Sequence, residues 1–97
     1  MSSLRRDHYD ELRFRVEQDV CEEAERADKR YGPYQSTHEA LGVLIEEVDE
    51  LRDAIRQNVL PAVEREAIQV AAVALRLAEV CRRDEDAFRE RSGAKRS

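Results

Sequence analysis

Ninety-seven residues carry 17 Lys+Arg against 22 Asp+Glu, a net charge of −5, with 40% charged and 41% hydrophobic side chains. That apolar share is too high for a disordered polyampholyte and fits one folded domain over residues 1–97, while the acidity gives no support for binding a phosphate backbone, so no nucleic-acid partner is expected. The longest apolar run, residues 70–75, is far short of the roughly 18 that a membrane span needs, and Met1-Ser2-Ser3-Leu4-Arg5-Arg6-Asp7 has no apolar segment behind its arginines, so no membrane partner and no secretory signal are expected and the chain reads as cytoplasmic.

Five aromatic residues, three Gly and two Pro leave little material for sheet turns. The composition predicts an all-α fold of about three main helices, with a core at residues 4–90 and a frayed tail at residues 91–97. The first helix is predicted over residues 4–30. Leu12, Val16, Val20, Ala24 and Ala27 form its apolar stripe, with Phe14 and Cys21 beside it. Gly32-Pro33 ends it, because Gly caps a helix C-terminus and Pro cannot continue the ladder. Tyr31 and Tyr34 flank that turn and either pin the loop or stack on a base.

Ser36-Thr37-His38-Glu39 is an S-x-x-E capping box that starts the second helix. His38 is then either a surface residue of the first turn or a substrate contact. Leu41, Leu44, Ile45, Val48, Leu51 and Ile55 predict its core face. Residues 57–61 break the pattern again, and Pro61 suits the first turn of a third helix running to about residue 89. Its stretch from residue 70 to 75 has no polar face, and a helix apolar all round needs cover all round. Two partner helices leave one side open, so a homo-oligomer, dimer or tetramer, is expected. Cys21 and Cys81 lack metal or redox spacing and read as buried helix-face thiols.

The chemistry concentrates in the middle. Residues 32–81 hold 9 acidic and 4 basic side chains, the whole surplus of negative charge. Glu47 and Glu50 are one turn apart on one side of the second helix, at the border of the apolar stripe. Such a pair is either a solvated acidic face or a seat for a hard cation such as Mg²⁺. Glu66 and Gln69 repeat the spacing on the third helix, and Gln69 is either a buried hydrogen-bonding amide or part of the same site. If the two helices pack antiparallel, Glu47, Glu50 and Glu66 converge near one level. Glu46 is a spare carboxylate, placed to serve as a base or simply turned to solvent. Arg76, the one cation in the apolar stretch, either pairs with a carboxylate of a neighbouring helix or reaches a phosphate.

Glu47-x-x-Glu50 followed by Glu66-x-x-Gln69, in the context HEALGVLIEEVDELRDAI and then REAIQVAAVALRLAEV, resembles the MazG-like family of all-α nucleoside triphosphate pyrophosphohydrolases. The likeness covers residues 31–81, about half the chain. It implies an oligomeric helical bundle that hydrolyses a nucleoside triphosphate between its α and β phosphates, releasing a monophosphate and pyrophosphate. It implies Mg²⁺, with Mn²⁺ as the alternative ion, held by Glu47, Glu50 and Glu66. Gln69 stands where the family carries Asp. An impaired interaction module, a relative acting on another phosphorylated nucleotide such as phosphoribosyl-ATP, and a generic oligomeric scaffold are the competing expectations.

Overall fold

The computed structural model describes the backbone of residues 3–93 and the burial of residues 8–93. Among the described residues there are three helices and no strand: α1 (Ser3–Tyr31), α2 (Thr37–Gln57) and α3 (Leu60–Arg91). The predicted all-α class is what the chain adopts. Among the described residues no helix is long and apolar enough to cross a membrane.

Each boundary has a local cause. Gly32 turns left-handed (φ 72°), and its amide donates to the Asp28 carbonyl at 2.8 Å, closing α1. The Ser36 hydroxyl accepts from the Glu39 amide at 3.1 Å, which is the forward half of the capping box. Ser36→Ala should therefore cost about 1 kcal/mol, read as a lower melting temperature in thermal denaturation. At the end of α2, Asn58 takes a left-handed conformation (φ 57°), and its amide donates to the carbonyls of Ala54 and Ile55. Asn tolerates this region better than any branched residue. Only Asn58 and Val59 lie between α2 and α3, so the two helices form an antiparallel hairpin. α3 runs through Arg91, so the first residue of the predicted tail is helical. Residues 94–97 lie outside the described residues.

α3 is the centre of the molecule. Both other helices pack on it, and α1 and α2 do not pack on each other. The small core gathers Tyr34, Ala40, Val73 and Val80, with Val43, Leu44 and Leu77 against them. The predicted core face of α2 is corrected. Leu44 and Leu51 are half-buried, but Leu41, Ile45, Val48 and Ile55 are exposed, and the side toward α3 carries Ala40, Val43, Leu44, Glu47 and Ala54. Alanine decides the rotation. Ala40 is fully buried and Ala54 nearly so, which lets the helices approach closely along that line. The bulkier residues are left a quarter-turn away, where this single chain offers nothing to cover them.

On α1, contact grows toward the C-terminal end. Ala24 is buried and Ala27 half-buried, while Val16 and Phe14 are exposed. On α3, Ala72 and Val73 are buried but Ala71 and Ala74 are not, so the apolar stretch does leave one side open. The expectation of buried thiols fails: Cys21 and Cys81 are both free and exposed. Cys81 lies on the same open side of α3, three residues beyond the exposed Ala78.

Candidate metal centre

The α2–α3 hairpin brings the three predicted glutamates together. One carboxylate oxygen from each of Glu47, Glu50 and Glu66 lies within 4.8 Å of the others. Glu47 and Glu66 are half-buried and Glu50 is exposed. The rotation of α2 causes this. Turning Ala40 and Ala54 inward also turns Glu47 toward α3, and Glu50 follows one turn along. Glu66 lies on α3 at the matching level.

The cluster is electrostatically unsatisfied. Oε2 of Glu47 and Oε2 of Glu66 are enclosed and have no hydrogen-bond partner. Burial raises the Glu47 carboxyl above the ordinary value of 4.5, and the neighbouring Glu50, Glu66 and Glu46 push it further. Burial raises Glu66 as well, followed by Glu50, with Arg65 pulling the other way. Two carboxylates are thus held nearer neutrality than free glutamate, and the donors present are hard oxygens alone.

Beside the cluster a cleft of about 770 Å³ opens between α1 and the hairpin. Glu46, Glu47 and Gln69 line its acidic end. Glu46 is exposed and on the cleft, which joins the two sequence alternatives for it. Gln69 is half-buried, one turn beyond Glu66. The opposite wall comes from α1: Glu23, Arg26, Ala27 and Arg30. Sequence reasoning missed this wall, since it assigned only the apolar stripe of α1. The available signal was Arg26 and Arg30, four residues apart and just ahead of the Gly32 turn. Arg26 is engaged by Glu23 at 2.7 Å, and the Arg30 guanidinium lies 5.3 Å from the centre of the exposed Tyr31 ring.

Arg76 and Tyr34 shape the floor. Arg76 is buried and its donors are engaged. Nε donates to Asp28 Oδ1 at 2.8 Å, Nη1 to the Tyr34 hydroxyl at 3.1 Å and Nη2 to the Gly32 carbonyl at 2.7 Å. Its guanidinium also stacks 4.3 Å from the centre of the Tyr34 ring. This is the ion pair with a neighbouring helix, one of the two predicted roles. Burial raises the Tyr34 hydroxyl pKa, with Arg76 opposing. Tyr34 pins the loop from inside the core, and Tyr31 is the exposed ring at the cleft. His38 is exposed on the first turn of α2, outside the residues that line the cleft. Compared with protein-family models, curated proteins and solved structures, the chain matches none.

Proposed function

We propose that the protein is a homo-oligomeric, Mg²⁺-dependent nucleoside triphosphate pyrophosphohydrolase of the cytoplasm, with Mn²⁺ as the alternative ion, acting on nucleotide pools. The observation that supports this reading is the pair of enclosed, unpartnered oxygens on Glu47 and Glu66, gathered with Glu50 beside a cleft of nucleotide size. Three carboxyls in partly dry surroundings are unfavourable without a cation. A bound divalent ion would supply charge neutralisation for phosphate oxygens and a more acidic water.

The protein's own groups divide the remaining work. Glu47, Glu50 and Glu66 would hold the ion, with Gln69, one turn beyond Glu66 on α3, as the further candidate ligand. Hydrolysis adds one water across the α–β bridge. The water oxygen bonds to phosphorus, the bridging P–O bond breaks with its electron pair, and pyrophosphate leaves with the monophosphate as the other product. Glu46, exposed on the cleft next to Glu47, takes the proton of the attacking water. Arg76 and Tyr34 hold the floor in place, and Tyr31 offers a ring to the base.

The test is pyrophosphate release from each nucleoside triphosphate in the presence of Mg²⁺. Release is expected, and Glu47→Gln or Glu50→Gln should each lower it by roughly a hundredfold or more while the helical signal persists. Unchanged turnover in both variants defeats the ligand assignment. Release from phosphoribosyl-ATP alone would move the reading to that substrate. No release and no Mg²⁺-dependent thermal shift would leave a binding module. Gln69→Asp measures what the missing charge costs.

A further inference from the structure

The cleft changes character along its length. Glu47 and Gln69 stand at one end, and the middle is apolar at Val43 and Val73. The other end is the loop between α1 and α2, where Arg30, Tyr31 and Glu39 border the same space. Two contacts fix this order. Arg76 holds Asp28 and the Tyr34 hydroxyl, which sets the last turn of α1 against α3 at residue 76. Glu47 meets Glu66, ten residues earlier on α3. Glu39 precedes Glu47 by eight residues, so the loop end lies roughly 12 Å from the glutamates along α2.

Two groups at the loop end carry opposite charge, and neither engages the other. The Glu39 amide donates to the Ser36 hydroxyl, but its carboxylate accepts no hydrogen bond among the described residues. Burial raises the Tyr34 hydroxyl and the Glu39 charge adds to it, which puts that carboxylate beside the loop. The Arg30 guanidinium comes from the opposite wall and lies 5.3 Å from the centre of the Tyr31 ring. That ring is 70% exposed, so it has a face to offer. A carboxylate is a poor neighbour for a phosphate. On the reading of the cleft as a nucleotide site, on which this inference rests, the phosphates lie at the glutamate end and the base reaches the loop.

We propose that the loop end reads guanine: Glu39 accepts from its N1–H and N2–H₂ groups, the Arg30 fork donates to O6 and N7, and the Tyr31 ring stacks on its face. Guanine alone among the four bases combines two neighbouring donor groups with two neighbouring acceptors. A carboxylate has two oxygens and a guanidinium a planar fork, so both are filled at once. Adenine, cytosine and uracil each offer the carboxylate a single donor group. Adenine also turns an amino group toward the place of the guanine O6, where Arg30 is a donor too. Glu39 is at the same time the third residue of the capping box, a position that Gln fills as well, so Glu39→Gln separates the two roles.

Calorimetric titration of the whole protein with GMP, AMP, CMP and UMP in Mg²⁺ should show GMP bound about tenfold more tightly than the others. Edited bases assign the contacts. IMP, which lacks the N2 amino group, should lose about tenfold on the wild type and little on Glu39→Gln. The 7-deaza analogue of GMP, which lacks the N7 acceptor, should lose on the wild type and little on Arg30→Gln. A purely structural role would lower the melting temperature and leave both penalties unchanged. The wild-type comparison needs no variant, so a failure to fold cannot decide the matter. Binding is read apart from hydrolysis: a GMP preference without pyrophosphate release keeps the guanine assignment and removes the enzyme. Equal affinities for the four monophosphates, no binding of GMP, or penalties that persist in the variants overturn the assignment. So does pyrophosphate release with equal kcat/KM for all four nucleoside triphosphates, which would leave the enzyme standing.

Discussion

Arg76→Ala is expected to lower the melting temperature by roughly 12–24 °C. The guanidinium donates to Asp28, the Tyr34 hydroxyl and the Gly32 carbonyl, and stacks on the Tyr34 ring. Asp28 is half exposed and can turn to water, so its ion pair is the smaller part of the effect. The buried hydroxyl and the loop carbonyl lose a charged donor, and a cavity opens under Tyr34. Together these cost about 3 kcal/mol, and each kcal/mol moves a domain of this size by roughly 4–8 °C. Arg76→Lys should recover only part, because a single ammonium cannot reproduce the fork. A shift of Arg76→Ala below about 4 °C in thermal circular dichroism would mean that α1 and the loop are held by something else.

Glu47→Gln should reverse the usual direction of a buried substitution. Glu47 and Glu66 both titrate above the ordinary 4.5, so the folded chain keeps protons that the unfolded chain has already released. Stability without metal therefore falls as pH rises from about 4.5 through the raised values, and below 4.5 the two states are protonated alike. At pH 8 the cluster is under its greatest repulsion. Removing the Glu47 charge there should raise the metal-free melting temperature by roughly 4–8 °C, equivalent to about 1 kcal/mol. Mg²⁺ has the opposite profile. It competes with protons, so its stabilisation should be slight at pH 5 and grow toward pH 8, reaching about 2.7 kcal/mol at a hundredfold excess over its dissociation constant. Glu47→Gln should abolish most of that gain. Melting curves from pH 5 to 8, with chelator and with Mg²⁺, give both quantities. Parallel curves for the wild type and the variant would remove the case for a metal.

The fold was legible wherever a single residue type dictates the backbone. Gly32 and Ser36 announced the first break, and the disruption around Asn58 and Pro61 the second. The rotation of α2 was not legible, because periodicity finds where large apolar residues cluster, whereas close helix contact is set by the small ones. Ala40 and Ala54 carry little weight in such a pattern, yet they fix the face. The same error hid a consequence favourable to the site. Glu47, expected at the border of the core, is turned toward α3 and loses hydrogen-bond partners for one oxygen. The convergence of Glu47, Glu50 and Glu66 followed from the hairpin and the one-turn spacing, since both are local. The α1 wall of the cleft left only the Arg26–Arg30 spacing as a signal, because its placement depends on how a helix that packs on α3 and not on α2 is set against the hairpin.

That last arrangement has a consequence for motion. α1 is attached to the rest of the chain by its C-terminal third, where Ala24 is buried and Arg76 grips Asp28 and Gly32, while Tyr9, Phe14 and Val16 farther back are exposed. A helix fastened at one end opens locally for far less free energy than the hairpin it leans on. The cleft wall, residues 23–31, lies within that fastened end, so local opening of α1 frees the turns ahead of residue 23 first and leaves the wall in place. The cleft is therefore set by the clasp at residues 28–34, and the glutamate cluster by the hairpin alone.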